Sequence, residues 1–338
     1  MEQRTLAAVN WLLDSSEPAI RLMTRRDVLG QRGSEDAGLV LAGAKVTALL
    51  AGQHADGGFG VHPYRKWTGA HWRLISLVEL AIPPLEPRAV AAAGQVLAYL
   101  ARGRRHVVVM GGLVRRCASV EGNALAACCR LGLAADPRVR SLAEALITWQ
   151  WPDGGWNCDV AATGRRSSFH ESLAPAWGLH QYGQAADEPT ATDAAGRTAE
   201  LFLEHRLFRS LVTGQVINRT WLAPHYPPYW HYDILQALLV LSRMGRARDP
   251  RAGDALDELE RRRLPDGRWR AGGCWWKPPA SAATPEVVDW GRSGPNEMIT
   301  LNALPHPARR RTADLTCGAA LDRRCASDGS MDGRTGQR

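Results

Sequence analysis

Apolar residues recur at helical spacing along most of the chain, in segments separated by Gly, Pro, Asn and Asp. This pattern predicts about twelve helices. They cover residues 5–14, 19–29, 36–51, 67–81, 87–102, 119–131, 137–149, 168–182, 191–208, 230–244, 250–263 and 295–304. No segment alternates convincingly between apolar and polar positions, and residues 107–109 are assigned to a loop. The sequence therefore predicts an all-α protein.

The predicted helices form pairs at a regular interval. The second helix of each pair begins near residues 18, 68, 119, 168, 230 and 295. Helix pairs repeated at roughly fifty residues bury their apolar faces only against neighbouring pairs. Residues 1–304 are therefore predicted to form one domain of six pairs that can close on themselves. Residues 305–338 lack apolar periodicity and are predicted to be a disordered tail.

A turn motif recurs between the pairs. Residues 53–59 read QHADGGF, residues 150–156 read QWPDGGW, and residues 264–269 read LPDGRW, a shortened version. In each copy an Asp-Gly pair suits a turn that needs a positive φ. Tryptophans surround the turns, and those predicted to staple helices together are Trp149, Trp151, Trp156 and Trp269.

The motif Gln-x-x-Asp-Gly-Gly-Phe/Trp resembles the repeat of squalene-hopene and oxidosqualene cyclases, which protein prenyltransferase β-subunits share in looser form. The segments WNCD, SSFHES, YPPYWHYD and WGRSGPNEM also look like a group of bacterial cyclase-like proteins. The resemblance covers about 300 residues. It implies an (α/α)6 toroid, with inner and outer rings of helices around a cavity. It also implies an elongated apolar, isoprenoid-type substrate.

Two family motifs differ in this chain. The Asp-x-Asp-Asp motif with which class II terpene cyclases protonate their substrate is absent from the sequence. Prenyltransferase β-subunits hold zinc with an Asp-x-Cys pair and a later His, whereas here the order is Asn157-Cys158-Asp159. The resemblance therefore implies the architecture and leaves the reaction open.

Aligning the second helix of each pair by its apolar tail places polar residues in the first turns. These residues are Thr68 and His71, Glu121 and Asn123, His170 and Glu171, His231 and Asp233, and Asn296 and Glu297. If these are the inner helices of a toroid, their N-termini meet at one mouth of the cavity. The polar residues would then form one ring.

The composition of this ring suggests a site for a metal or for acid–base catalysis. Imidazoles and carboxylates around an open position suit zinc or another divalent cation, and crowded groups of this kind also shift one another's pKa as acid–base catalysis requires. The predicted metal ligands are His170, His231, Cys158 and Asp159. The predicted catalytic residues are Glu171, Asp233, Glu121 and Glu297. The predicted substrate-binding residues are His71, Arg219, Trp221, Trp230, Trp276 and Asn296.

Each of these assignments has an alternative. Carboxylates and amides at helix starts are often only caps, a buried His is often structural, and Cys158 could simply pack. For the whole chain, the alternatives to an enzyme acting on an apolar substrate are a non-catalytic toroid that binds a lipid or protein, and a carbohydrate-processing (α/α)6 enzyme with paired carboxylates. Fold analogy alone does not choose among them.

Composition narrows the class of protein further. The chain has 338 residues, a net charge of +8 that comes almost wholly from Arg, and 13 Trp. No nucleic-acid module accompanies the charge, so a solvated surface is expected and no nucleic-acid partner. Seven Cys without a CxxC pair indicate a reducing cytosol. Without a signal peptide or a long apolar run, the chain is predicted to be cytoplasmic and to lack a transmembrane segment.

Overall fold

The computed structural model describes residues 2–31, 33, 35–103, 107–161, 163–283 and 285–304. Within these ranges it contains thirteen α-helices and one short antiparallel sheet, which confirms the predicted all-α class. The predicted tail, residues 305–338, lies outside the described residues. No described helix combines the length and the apolar character that crossing a bilayer requires. The helices are α1 (Gln3–Leu13), α2 (Pro18–Met23), α3 (Asp36–Leu39), α4 (Ala44–Leu50), α5 (Ala70–Glu79), α6 (Pro87–Gly103), α7 (Ala118–Arg130), α8 (Pro137–Trp149), α9 (Phe169–Ala185), α10 (Pro189–Glu204), α11 (Ile234–Arg243), α12 (Gly253–Arg261) and α13 (Glu297–Ala303).

The helix predicted over residues 36–51 is interrupted, and this accounts for the additional helix. A 3-10 turn follows α3, and α4 begins only after Gly43, whose backbone is extended. The buried carboxylate of Glu17 accepts a hydrogen bond from the Lys45 amide at 3.0 Å, so it satisfies a donor at the start of α4. A Cβ on Gly43 would lie 2.0 Å from Glu17 Oε1. The break therefore makes room for a side chain from a different segment.

Two further helices begin later than predicted. Helix α5 starts at Ala70 and α11 at Ile234, so Thr68, Trp230 and His231 lie in the loops that lead into them. Asp233 sets the start of α11, because its Oδ1 accepts a hydrogen bond from the Gln236 amide at 2.9 Å. Periodicity alone placed these boundaries too early, since the preceding aromatic residues are also apolar.

The loop assigned to residues 107–109 is wrong in part, because a β-hairpin lies there. Strand β1 (Val108–Met110) pairs antiparallel with β2 (Leu113–Arg115). Gly111 and Gly112 have φ of 59° and 77°, the conformation of a two-residue hairpin turn that matches the strand twist. The strands are too short for an alternating pattern to be recognised. Arg115, the last residue of β2, also forms a parallel bridge with Asn157, which joins two distant segments.

The helices fall into two classes by burial. Most residues of α5, α7, α9 and α11 are buried, whereas α6, α8, α10 and α12 each keep an exposed face. The buried class forms a run of neighbours, in which α7 packs on α5 and α9, and α11 packs on α9 and α13. Helix α13 in turn packs on α2 and α1. The amphipathic helix α8 packs on α6 and α10.

The three Asp-Gly turns have equivalent surroundings. Gly57, Gly154 and Gly267 have φ of +86°, +91° and +84°. A Cβ on them would lie 2.3 Å from a carbonyl oxygen of α6, 2.6 Å from one of α10 and 2.0 Å from one of α1, respectively. The first helix of the chain therefore packs on the third turn as α6 and α10 pack on the first two.

The residue that precedes each turn ties it to the same helix. Gln53 Nε2 donates to a carbonyl in its own turn at 3.1 Å and to one in α6 at 2.8 Å. Gln150 Nε2 donates to its own turn and to α10, both at 2.9 Å. Arg263 replaces the glutamine in the third copy and donates to its turn at 3.1 Å and to Thr5 of α1 at 2.8 Å. The shortened third motif thus keeps the contacts of the others.

Two tryptophans that follow the turns staple each turn to the helix before it. Trp156 Nε1 donates to the Leu146 carbonyl at 3.0 Å, and Trp269 Nε1 donates to the Leu259 carbonyl at 2.8 Å. Both indoles are buried. Each pair is ten positions apart in the sequence, so the two staples are the same local device.

Candidate functional site

Two thiols and a carboxylate meet near the starts of α7 and α9. Cys117 immediately precedes α7, Cys158 lies in the loop after the second Asp-Gly turn, and Glu171 is in the first turn of α9. Their Sγ and carboxylate oxygen atoms all lie within 4.8 Å of one another. We refer to these three residues as the Cys–Cys–Glu cluster.

The two cysteines are brought together by backbone pairing. The parallel bridge joins Arg115 to Asn157, and the Arg116 amide donates to the Asn157 carbonyl at 3.1 Å. Cys117 and Cys158 follow directly on the two paired segments. Sequence analysis did not select Cys117, although it stands just before the predicted helix start at residue 119, where the polar ring was expected.

Glu171 connects the cysteines to helix α7. Its Oε2 accepts a hydrogen bond from the Ser119 amide at 3.0 Å, and its Oε1 accepts one from the Cys158 thiol at 3.6 Å. The Glu171 amide is itself capped by Ser168 Oγ at 3.4 Å. One carboxylate therefore satisfies an N–H at the start of α7 and holds a thiol, so its position is well defined.

The contact between the two thiols shifts their pKa values in opposite directions. A hydrogen bond from Cys158 lowers the pKa of Cys117, whereas the same contact, together with burial, raises the pKa of Cys158. Burial raises the pKa of Glu171 despite its two hydrogen-bond donors. The thiolate is the form that binds metals, so the hydrogen bond from Cys158 favours the metal-binding form of Cys117.

A second buried carboxylate lies beside the cluster. Glu121 is fully buried in α7, and its Oε1 accepts a hydrogen bond from Arg116 Nε at 2.8 Å. Its Oε2 has no partner among the described residues. Burial raises the pKa of Glu121, although Arg116 opposes this shift. Arg116 thus places a positive charge next to Glu121 and near Cys117.

The Cys–Cys–Glu cluster has the composition and size of a zinc site with three protein ligands. Zn–S bonds of about 2.3 Å in a tetrahedron place neighbouring ligand atoms about 3.7 Å apart. The Sγ of Cys158 lies 3.6 Å from Glu171 Oε1, and the remaining pairs lie within 4.8 Å. A fourth position would remain for water or substrate, as in catalytic zinc sites.

The metal ligands predicted from the sequence are not brought together as a set. Of the four, only Cys158 belongs to the Cys–Cys–Glu cluster, the one group of its kind in the described part of the chain. Asp159 is exposed, and its Oδ1 accepts a hydrogen bond from the Ala161 amide at 2.9 Å. This hydrogen bond closes a local turn. Asp159 follows Cys158 in the sequence, but its side chain is directed to this turn and not to the cluster.

His170 and His231 lie next to each other but outside the cluster. Their ring centroids are 6.1 Å apart. His170 Nδ1 accepts a hydrogen bond from the Tyr232 amide at 2.8 Å, and His231 Nδ1–H donates to the Pro228 carbonyl at 3.1 Å. Burial lowers the pKa of His170 and lowers that of His231 to about 4. Both imidazoles are therefore neutral at pH 7, and each uses Nδ1 to hold a loop.

Two residues of the predicted ring act as helix caps. Asp233 Oδ2 accepts a hydrogen bond from the His225 amide at 2.9 Å while its Oδ1 caps α11. Asn296 Oδ1 caps α13 at 3.0 Å, and its Nδ2 donates to the Trp290 carbonyl at 2.7 Å. Glu297 follows Asn296 and lies 3.9 Å from Lys45 Nζ. Glu297 thus contacts α4 and Asn296 contacts the Trp290 loop, and neither contact involves the Cys–Cys–Glu cluster.

Aromatic side chains fill the space beside the starts of α5 and α11. Trp67 stacks on Tyr229 with ring centroids 3.5 Å apart, and Trp72 and Trp230 lie 5.0 Å and 5.1 Å from Trp67. Lys66 Nζ lies 4.4 Å from the Trp230 ring centroid, a cation–π distance. We refer to Trp67, Trp72, Tyr229 and Trp230 as the aromatic cluster.

The central cavity beneath this aromatic cluster is small. It holds about 50 Å³, and its lining includes Ser76, Asn123, Trp177, Tyr229 and Gln236. A volume of this size holds a few water molecules rather than a long hydrocarbon chain. The interior is thus closed by close-packed aromatic rings.

His71 is completely buried between aromatic rings. Its ring centroid lies 4.6 Å from that of Trp72 and 5.7 Å from that of Tyr64. Neither ring nitrogen has a partner among the described residues, and burial lowers the pKa of His71 to about 3. Tyr64 lies between His71 and the Cys–Cys–Glu cluster. Burial raises the pKa of Tyr64, and so do the nearby charges of Cys117 and Glu171.

The other predicted substrate-binding residues occupy different surroundings. Trp230 lines the central cavity, whereas Trp276 lies in the core and donates Nε1 to the Tyr226 carbonyl at 3.1 Å. Trp221 borders a separate open groove of about 1010 Å³ beside α9 and α10. Arg219 is exposed at the start of a 3-10 turn. These residues do not converge on one pocket.

Comparison of the chain with protein-family models, with curated proteins and with solved structures finds no match.

Proposed function

We propose that this protein is a terpenoid-cyclase- or prenyltransferase-like enzyme with an (α/α)6 toroid fold and a divalent metal ion, in the zinc class, at the Cys–Cys–Glu cluster. The ion would be held by the thiolates of Cys117 and Cys158 and by the Glu171 carboxylate. The substrate would be apolar and of isoprenoid type. The observation that carries the proposal is the convergence of these three side chains from three segments at the starts of two buried helices.

Equivalent turns support the toroid. The Asp-Gly turns contact α6, α10 and α1 in the same way, and α13 packs on α1 and α2. This relation supports a chain that closes on itself, because α1 would take the place of a following outer helix. Fully buried helices beside amphipathic ones are also what inner and outer rings require.

The donor set supports a metal role over a purely structural one. Two thiols and a carboxylate within 4.8 Å offer three anionic ligands, and anions this close together repel each other unless a cation binds. The single S–H of Cys158 lies between Glu171 and Cys117 and can donate fully to only one of them, so hydrogen bonding replaces that cation only in part. When bound, the metal would supply Lewis-acid polarisation or an activated thiolate.

This chain's own residues would complete the chemistry. Arg116 places a positive charge beside the cluster, where it can stabilise an anionic leaving group. Burial raises the pKa of Glu121, which favours a carboxylic acid that can donate a proton. The aromatic cluster would favour an apolar chain or a transient carbocation through its ring faces.

A second candidate function is a non-catalytic toroid that binds a ligand or a protein. The small central cavity favours it, because about 50 Å³ does not admit an isoprenoid chain without movement of Tyr229 and Trp230. For the enzyme, the loop carrying these two residues would have to open. The two candidates therefore differ in what they require of this loop.

Metal analysis tests the enzyme proposal first. Protein purified without chelators should contain about one divalent ion per chain, and the Cys117→Ser and Cys158→Ser variants should lose it. Cys274→Ser is the matched control, since Cys274 is a partly buried thiol outside the cluster. Cobalt-reconstituted protein should absorb through thiolate-to-cobalt charge transfer only when both cluster cysteines are present.

Metal-free wild-type protein that takes up no cobalt would contradict the metal site. Loss of metal in the Cys274 variant as well would mean that the signal does not report on the cluster.

Extraction of lipid after incubation with a cell-lipid fraction separates the two functions. A chemically changed lipid supports catalysis, and an unchanged stoichiometric one supports binding.

A further inference from the structure

A polar pocket of about 250 Å³ lies at the opposite ends of the same helices. It is lined by the last residues of α5, α7 and α11, which are Glu79, Arg130 and Arg243, and by residues of α9 and α13. Glu79, Trp177 and Arg243 also line the central cavity, so the pocket adjoins it. Since the Cys–Cys–Glu cluster is at the helix starts, this pocket is a separate feature and does not depend on the proposed function.

Arginines outnumber carboxylates among the described residues that line this pocket. Arg130 and Arg243 both reach one oxygen of Glu79, at 2.9 Å and 3.5 Å, and Arg26 pairs with Asp27 at 2.8 Å. Three guanidinium groups and two carboxylates of the described chain therefore line the pocket. Burial and the nearby Arg243 and Arg26 charges lower the pKa of Arg130, although Glu79 opposes this shift.

Donors without acceptors line the same pocket. The Nε1 atom of Trp177 and the Nδ2 atom of Asn302 are buried and have no hydrogen-bond partner in the described part of the chain. Trp177 is 7% exposed, so its N–H is shielded from bulk water. A buried donor without an acceptor is costly, and a bound acceptor would satisfy it.

The helix C-termini offer a simpler reason for arginines at these positions, since their dipoles favour cations. That effect explains the presence of Arg130 and Arg243 at helix ends. It does not explain why the N–H donors of Trp177 and Asn302 in the same pocket have no acceptor. If helix-end carbonyls alone shaped the pocket, these carbonyls would be expected to accept from the two donors. The terminal field is also weaker than a direct charge-assisted hydrogen bond.

We propose that this pocket binds a phosphate group, held by Arg26, Arg130 and Arg243 with the N–H donors of Trp177 and Asn302. Guanidinium groups recognise phosphate oxygens through paired, charge-assisted hydrogen bonds. The group could be free phosphate or could belong to a small phosphomonoester, because both present the same oxygens. The volume of about 250 Å³ leaves room beyond a single phosphate.

Isothermal titration of the full chain with inorganic phosphate at low ionic strength tests the proposal. Wild type should bind saturably with a dissociation constant below about 10 mM. Arg130→Gln should weaken binding about tenfold or more, because it removes a charged donor. Glu79→Gln should strengthen binding by up to about tenfold, because it removes the carboxylate that competes for the same arginines.

Arg138→Gln is the matched control, since Arg138 also pairs with a carboxylate but on an exposed face of α8. It should leave phosphate binding unchanged. Absence of saturable binding by wild type would overturn the proposal, and so would equal effects of the Arg130 and Arg138 changes. If Arg130→Gln does not fold by circular dichroism, Glu79→Gln decides, and unchanged or weaker binding by that variant would overturn the proposal.

A parallel titration with glycerol 3-phosphate distinguishes the two sources. Tighter binding of the ester than of inorganic phosphate supports a phosphomonoester ligand. Tighter binding of inorganic phosphate supports the free ion. Because neither titration involves the cysteines, both can succeed when the metal test at the Cys–Cys–Glu cluster fails.

Discussion

Replacement of Gly267 by Ala tests whether the first helix closes against the third Asp-Gly turn. Gly267 has φ +84°, and a Cβ there would lie 2.0 Å from the Arg4 carbonyl oxygen. That oxygen belongs to the α1 backbone, so the collision cannot be relieved by rotating a side chain. Either the turn or the helix must move away.

The cost has two parts that a control separates. The left-handed backbone costs about 1–2 kcal/mol for a residue with a Cβ. Forcing an atom into a packed contact adds about 1–3 kcal/mol. Gly245→Ala carries only the first part, because Gly245 has φ +73° and nothing within 4 Å of a built Cβ. Gly267→Ala should therefore be about 1–3 kcal/mol less stable than Gly245→Ala.

Urea unfolding followed by circular dichroism measures this difference through the shift in midpoint. Gly154→Ala, whose Cβ would lie 2.6 Å from the Arg197 carbonyl oxygen of α10, should resemble Gly267→Ala. Equal midpoints for the Gly267 and Gly245 variants would refute the packing of the third turn on α1. The proposed closed toroid would then lose its main support.

Two other predictions concern buried ionisable groups. His71 stays neutral when folded, with its pKa lowered to about 3, whereas the unfolded chain binds a proton below about pH 6.5; stability is therefore lost as pH falls below 6.5. His71→Phe should remove about 2 kcal/mol of the stability loss between pH 7 and pH 5, as measured by urea unfolding at both pH values, and an unchanged pH dependence would contradict the buried neutral imidazole. Glu171→Gln keeps an acceptor for the Ser119 amide but loses an anionic ligand, so the unfolding midpoint of the metal-free protein should change little while metal uptake falls. Glu171→Ala should lower stability by about 1–2 kcal/mol as well, and equal stability of the two variants would contradict the capping contact.

Local patterns were sufficient for most of the fold. Helical periodicity identified the helices, and the Asp-Gly turns were recognised because a positive φ restricts the residues that fit. One error occurred where a distant side chain changed a local preference. Glu17, 28 residues from Lys45, interrupts the helix predicted over residues 36–51, and this effect is not visible in a window of neighbouring residues. The late start of α11 has a local cause, the Asp233 cap, which the apolar residues before it obscured.

The candidate site was predicted only in part, for the same reason. Glu171 and Cys158 were among the selected residues, but their partner Cys117 was not. Cys117 joins them through the pairing of Arg115 with Asn157, which are far apart along the chain. The His170 and His231 pair was expected to bind metal, whereas hydrogen bonds to the backbone and burial hold both imidazoles in a separate place.

The sequence by itself determined the all-α class, the order of the helices and two of the tryptophans that staple them, Trp156 and Trp269, because these depend on contacts within a few turns of chain. Only the tertiary structure decided which polar groups meet and how much space the interior leaves. Long-range backbone pairing placed two thiols beside one carboxylate. Tyr229, which stacks on Trp67, lines a cavity of only about 50 Å³, since the fit of aromatic rings depends on the whole fold.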